Sequence, residues 1–212
     1  SKFFGGIGAL LLALCLDAGP EPADIVILQT TDIHAHVNPG WLQLATVIKH
    51  ERRQHGADKV LLVDCGDTIL GSPTAAVARG QTDVLMLNHL KYDAWIPGNH
   101  EVDAGIARLT AITKAIHVPI LNGNFRLQSQ DPFPAWKMFR KGGARIAVIG
   151  MNNPNLAHWL WGKRFAGYAV RPALPLIEKL IPEIQRQRPD LIILAIHQGF
   201  QERSGSLRGE VD

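Results

Sequence analysis

The chain has 212 residues, 46% hydrophobic and 19% charged, a composition that suits one soluble α/β domain with a substantial core. Its net charge of +3 is mild, and its Lys and Arg residues are scattered rather than massed, which argues against a nucleic-acid polymer as partner. The two cysteines, Cys15 and Cys65, imply no disulfide framework.

At the N-terminus Lys2 precedes an apolar run, Phe3 to Leu16, and Asp17-Ala18-Gly19-Pro20 follows. The run is shorter than the roughly 20 residues that cross a bilayer. It matches a signal-peptide core, with residues 1–18 as the leader and Ala18 before the cut. Export to the periplasm or the extracellular space is the expectation. Lipid attachment at Cys15 is a minor alternative, because Leu14 is larger than the small residue usual at that position.

The first strand is expected at Asp24 to Thr30, an Ile/Val-rich run ending in Thr31-Asp32-Ile33-His34-Ala35-His36. In an extended chain Asp32 and His34 share a face, so both can reach one metal ion. His36 reads as surface or supporting, because the Asn38-Pro39-Gly40 turn carries it away. Trp41 to His55 predicts a helix with Leu44, Val47 and Ile48 inward, and Lys59 to Val63 a second strand. Asp64-Cys65-Gly66-Asp67 follows it. Asp67, a carboxylate just after a glycine at a strand end, suits a bridging ligand, because one Asp offers two oxygens to two cations. Cys65 reads as a small buried hydrophobe.

Thr82 to Leu90 predicts a helix, and Ala94 to Pro97 a short strand delivering the loop Gly98-Asn99-His100-Glu101-Val102-Asp103. The Asn99 amide is a modest metal ligand, and the His100 imidazole can ligate or donate a proton. Asp103, three residues on, is close enough in a tight turn to orient that imidazole. A helix over Ala104 to His117 and a fourth strand over Val118 to Asn122 come next. Trp136 to Arg140 and Arg145 to Gly150, around Lys141-Gly142-Gly143, predict an antiparallel hairpin, so the sheet is expected to be mixed. A short helix is expected at Asn155 to Trp161 and a longer one at Pro172 to Arg188, with Leu176, Ile177, Leu180 and Ile184 inward. Leu191 to Ile196 is the last buried strand, ending at His197. Residues 24–199 then form the domain, and 200–212 read as a polar tail or a cut through a loop.

Asp32 with His34, Asp67, Asn99 with His100, and His197 thus stand at four strand ends. Ligand sites of open α/β sheets form beyond the carboxyl ends of the strands, which places these residues at one rim. Their oxygen and nitrogen donors suit Mn, Zn or Fe.

The ordered set Asp32-x-His34, Gly66-Asp67, Gly98-Asn99-His100-Glu101 with Asp103, and His197 resembles the calcineurin-like dinuclear metallophosphoesterases. Among them it is similar to the exported 5'-nucleotidases and 2',3'-cyclic-nucleotide phosphodiesterases, and Gly66 to Pro73 leans towards the latter. The resemblance implies a four-layer α/β sandwich built on a mixed sheet, C-terminally incomplete here. It implies two divalent metal ions, Asp32 and His34 on the first, Asn99 and His197 on the second, and Asp67 bridging. It further implies that a hydroxide activated by the metal pair attacks phosphorus in line, within a site where Asn99 and His100 meet the substrate. His100, oriented by Asp103, would stabilise the phosphoryl oxygens or protonate the leaving alkoxide. A nucleotide or another small phosphoester is the implied partner. The family pattern continues with a Gly-His-x-His segment a few dozen residues beyond the His197 position, which does not occur within these 212 residues. The chain is therefore expected to be the N-terminal portion of such a hydrolase. The alternatives are a non-catalytic metal- or ligand-binding module and a thiosulfohydrolase-like relative.

Overall fold

The computed structural model describes residues 23–36, 40–69, 73–103, 105–128, 130–154, 167–198, 200–203 and 206–209, with the backbone alone for 74–76, 103, 200–203 and 206–209. The signal-peptide core and the helix expected at Asn155 to Trp161 lie outside these residues.

Strand β1 (Val26–Thr30) pairs in parallel with β2 (Val60–Asp64), and β2 with β3 (Ala94–Trp95). Between them run α1 (Gly40–His55), α2 (Pro73–Ala78) and α3 (Gln81–Leu90). After β3 come a short helix α4 (Asn99–Asp103) and α5 (Ile106–Ala115). The fourth strand expected at Val118 to Asn122 is reduced to a single parallel bridge, Trp95 to Ile120. Pro119 has no N–H to give a ladder, so only its carbonyl and the Leu121 N–H bond to Trp95.

The second sheet is mixed, as the hairpin pattern predicts. Strand β5 (Trp136–Lys141) is antiparallel to β6 (Ala144–Asn152), and β6 is parallel to β8 (Leu191–His197). A small two-stranded sheet joins β4 (Phe125–Leu127) to β7 (Tyr168–Val170). Helix α6 (Ala173–Arg186) follows β7. The segment expected as a polar tail holds an antiparallel ladder between β9 (Phe200–Arg203) and β10 (Ser206–Gly209).

The apolar clusters define four layers. Trp41, Ile48, Leu62, Leu87 and Ile112 pack α1, α3 and α5 on the outer face of the first sheet. Leu61, Val63, Ala94, Ile146 and Val148 fill the space between the two sheets. Ala147, Ile149, Met151, Leu180 and Ile184 pack α6 on the outer face of the second sheet. Alternation explains this: successive residues of β2 and β6 point to opposite faces, and both faces are covered, so both strands read as continuous apolar runs. Among the described residues β1 and β8 are edge strands, and Ile27 and Leu194 are each 46% exposed there. The C-terminal ends of β1, β2, β3 and β8 converge at one rim.

Candidate metal centre

The loops at that rim are locked together by backbone. Past the end of β1, the N–H groups of Asp32, His34 and Ala35 donate to the carbonyls of Gly66, Asp67 and Thr68, at 2.8 to 2.9 Å. This extends the β1–β2 pairing into the loops and requires left-handed backbone at Asp32 (φ 55°), His34 (φ 50°) and Asp67 (φ 52°). Such conformations cost of order 1–3 kcal/mol each in non-glycine residues and cluster at functional sites. Gly66 and Gly98 let the β2 and β3 loops touch. A Cβ on Gly66 would lie 2.5 Å from the Gly98 nitrogen, and one on Gly98 would lie 2.5 Å from the Asp67 nitrogen.

Glu101 holds the two loops in register. Fully buried, it accepts the N–H groups of Asp67 and Gly98 on Oε2 and those of Thr68 and Ile69 on Oε1, at 2.7 to 2.9 Å. Burial and the Asp67 charge raise its pKa, while the Ile69, Gly98 and Asp67 N–H groups oppose that rise. All four partners are donors, so the ionised carboxylate is the form they satisfy. Beside it, buried Asp64 accepts from the Thr30 and Thr68 hydroxyls and the Gly66 N–H. Burial pushes the Asp64 pKa up to about 7 against those hydrogen bonds. Burial, with the Asp64 charge, pushes the Cys65 thiol to about 12, which suits the small buried hydrophobe expected there.

Asp67 stands at the centre of the candidate ligands. The His100 N–H donates to its Oδ1 at 2.8 Å, and Oδ2 lies 3.2 Å from His197 Nε2 and 4.0 Å from His100 Nε2. Two groups of donor atoms form, each within 4.8 Å: His34, Asp67 and His100, and Asp32, Asp67 and His197. Asp32 and His34, expected on one metal, lie 3.7 Å apart but on different sides of this division. The His34 and His100 rings meet edge to face with centroids 4.9 Å apart. Asn99 joins through its Oδ1, 3.0 Å from His197 Nε2. The chain thus brings Asp32, His34, Asp67, Asn99, His100 and His197 together. The Asp103 side chain lies outside the described residues.

The donor chemistry fits a cation. His197 Nδ1 lies 2.6 Å from the Cys65 carbonyl and donates to it, which leaves the lone pair of a neutral ring on Nε2. That lone pair then faces Asp67 Oδ2 and Asn99 Oδ1, so three acceptors meet without a proton among them. A metal ion resolves the conflict, and without one the ring protonates. Burial lowers the His197 pKa, but the Asp67 hydrogen bond and charge, then the Cys65 carbonyl and the Glu101 charge, raise it above its ordinary value. Against its own burial, Asp67 is held below the usual carboxylate range by His197 and His100.

Comparison with known proteins agrees with this geometry. The family model for calcineurin-like phosphoesterases matches residues 25–210. UshA of Escherichia coli is 28% identical over 89% of this chain and 37% of its own length. The trifunctional nucleotide phosphoesterase YfkN of Bacillus subtilis is 26% identical over 95% of this chain and 16% of its own length. A 5'-nucleotidase precursor from Thermus thermophilus superposes with a TM-score of 0.72 at 22% identity, over 82% of this chain and 37% of that one, a likeness of fold. The chain therefore spans little more than a third of UshA. With its loops pinned beyond the strand ends and a family match over nearly its whole length, the chain belongs to the calcineurin-like phosphoesterases.

Proposed function

We propose that this chain is the metal-binding portion of an exported phosphoesterase that hydrolyses nucleotides or 2',3'-cyclic nucleotides. The observation that carries the reading is the Asp67 carboxylate, shared by two adjacent groups of donor atoms. Support for the substrate class comes from a relative described as a nucleotide phosphoesterase. Support for export comes from the apolar run Phe3 to Leu16.

Asp32, His34, Asp67, Asn99 and His197 would hold two divalent cations of the Mn, Zn or Fe type. Two cations at such a site supply Lewis acidity to phosphoryl oxygens and an activated water at neutral pH. The chain's own residues do the rest. Asp67 turns its Oδ2 towards both His197 and His100, while its Oδ1 is fixed by the His100 N–H. The Cys65 carbonyl orients the His197 ring so that Nε2 faces the site. Glu101 fixes the backbone that carries Asp67. His100, its ring edge against His34, would donate to a phosphoryl oxygen or protonate the leaving alkoxide.

The test is hydrolysis of adenosine 5'-monophosphate and of 2',3'-cyclic AMP by the Mn-loaded protein, with chelated protein as control. Turnover of either ester, abolished by chelation and by Asp67→Asn and lowered about 10²–10⁴-fold by His100→Ala, is the expected result. Equal turnover in the Asp67→Asn variant would contradict the assignment.

A further inference from the structure

Away from the metal centre, on the outer face of the first sheet, a cleft of about 420 Å³ lies between α3 and α5. This size lies in the range of small-molecule sites. The two helices run side by side in the same direction. At their C-terminal ends Asn88 Oδ1 accepts the His117 N–H at 2.8 Å, and Asn88 Nδ2 donates to the Ala115 carbonyl at 3.0 Å. That end is closed by an amide whose bonds are already made. Its walls are apolar: Val84 and Ile112 are buried, while Leu85 leaves 66% of its surface exposed.

The opposite end is positive. Arg79 and Arg108 both line it. Among the described residues neither guanidinium has an ion-pair or hydrogen-bond partner. Partial burial, then the neighbouring Arg79 charge, holds Arg108 below its ordinary range. Two like charges at one mouth repel each other, and an anion between them relieves that repulsion. The N-terminus of α5, with no acidic residue in its first turn, adds to the field. Arg79 is itself held in the left-handed region at φ 54°.

We propose that this cleft binds a small amphipathic anion, its carboxylate or phosphate head between Arg79 and Arg108 and its apolar body along Val84, Leu85, Ala111 and Ile112. The distance from Arg108 to Ala115 along α5 is seven residues, roughly 10 Å at the helical rise, which sets the length of the body. The proposal does not depend on the metal centre.

Isothermal titration of the protein with octanoate and with octyl phosphate tests it, and the tighter of the two identifies the head. The expected result is saturable one-to-one binding that strengthens about fourfold per methylene from pentanoate to octanoate. Arg79→Asn, which keeps a residue tolerant of positive φ, and Arg108→Gln should each weaken it at least about tenfold, the scale of one lost charge-assisted bond. Ala111→Trp, which puts a bulky ring into the cleft, should abolish it, and a chelator should leave it unchanged. The two arginine variants keep the test valid if the tryptophan variant fails to fold. Several results would overturn the proposal. These are no saturable binding of either probe, equal binding of octanol or of inorganic phosphate, binding indifferent to both arginine changes, and a sedimenting dimer that occupies the cleft in place of the probes.

Discussion

Replacing Glu101 by Gln changes one atom and separates the role of the carboxylate from that of its shape. In the native chain each oxygen of Glu101 accepts two backbone N–H groups, from Asp67 and Gly98 on one side and from Thr68 and Ile69 on the other. A glutamine offers one oxygen and one NH₂. Whichever way the amide turns, two buried N–H groups face a donor instead of an acceptor. An unsatisfied buried donor costs about 1–3 kcal/mol, so the variant should lose about 2–6 kcal/mol of stability. The loss is read from the urea midpoint of the metal-free protein at constant m-value. The same pair of N–H groups either carries Asp67 or immediately follows it, so manganese affinity should fall at least about tenfold in the variant. Stability within 1 kcal/mol of the native chain together with unchanged manganese affinity would refute the clamp.

Asp64 gives a pH signature in the metal-free chain. Its pKa is raised to about 7 in the folded state, so from about pH 4 to about 7 the native chain holds a proton that the unfolded chain has lost. Stability should therefore fall as pH rises through that window, by up to about 4 kcal/mol, and Asp64→Asn should flatten the profile measured by urea unfolding. A profile unchanged by the substitution would count against it. Gly98→Ala should destabilise by about 1–3 kcal/mol and weaken manganese binding, because its Cβ would lie 2.5 Å from the Asp67 nitrogen. Denaturation and metal titration of that variant check the point, and native values in both would contradict the close approach.

Much of the fold is legible in the residues, for a physical reason that differs between elements. The runs at Val60 to Asp64 and Ala144 to Asn152 are apolar because both faces of each sheet are covered, and the Lys141-Gly142-Gly143 turn makes the second sheet mixed. The candidate ligands are legible because each stands just past an apolar run. The weakening of the strand at Val118 to Asn122 is harder to read, since it turns on one missing N–H at Pro119. The small β4–β7 sheet leaves little trace in the sequence, because its strands are three residues each and pair across forty residues. Glu101 stands within the recognisable motif, yet its four backbone bonds come from loops whose meeting depends on tertiary packing. Local spacing carries no trace of that meeting. The same holds for Asp64, whose supporting role shows only in its burial against Thr30 and Thr68.

The proposed metal centre depends on Asp67 joining two cations. Electron paramagnetic resonance of the protein titrated with Mn(II) addresses it directly, because two manganese ions sharing one carboxylate, about 3.5–4 Å apart, are magnetically coupled. Two manganese ions per chain with a coupled multiline spectrum at saturation, and loss of the coupling in Asp67→Asn, are the expected results. A saturated native protein showing only isolated Mn(II) signals, or a coupled spectrum that survives Asp67→Asn, would contradict it.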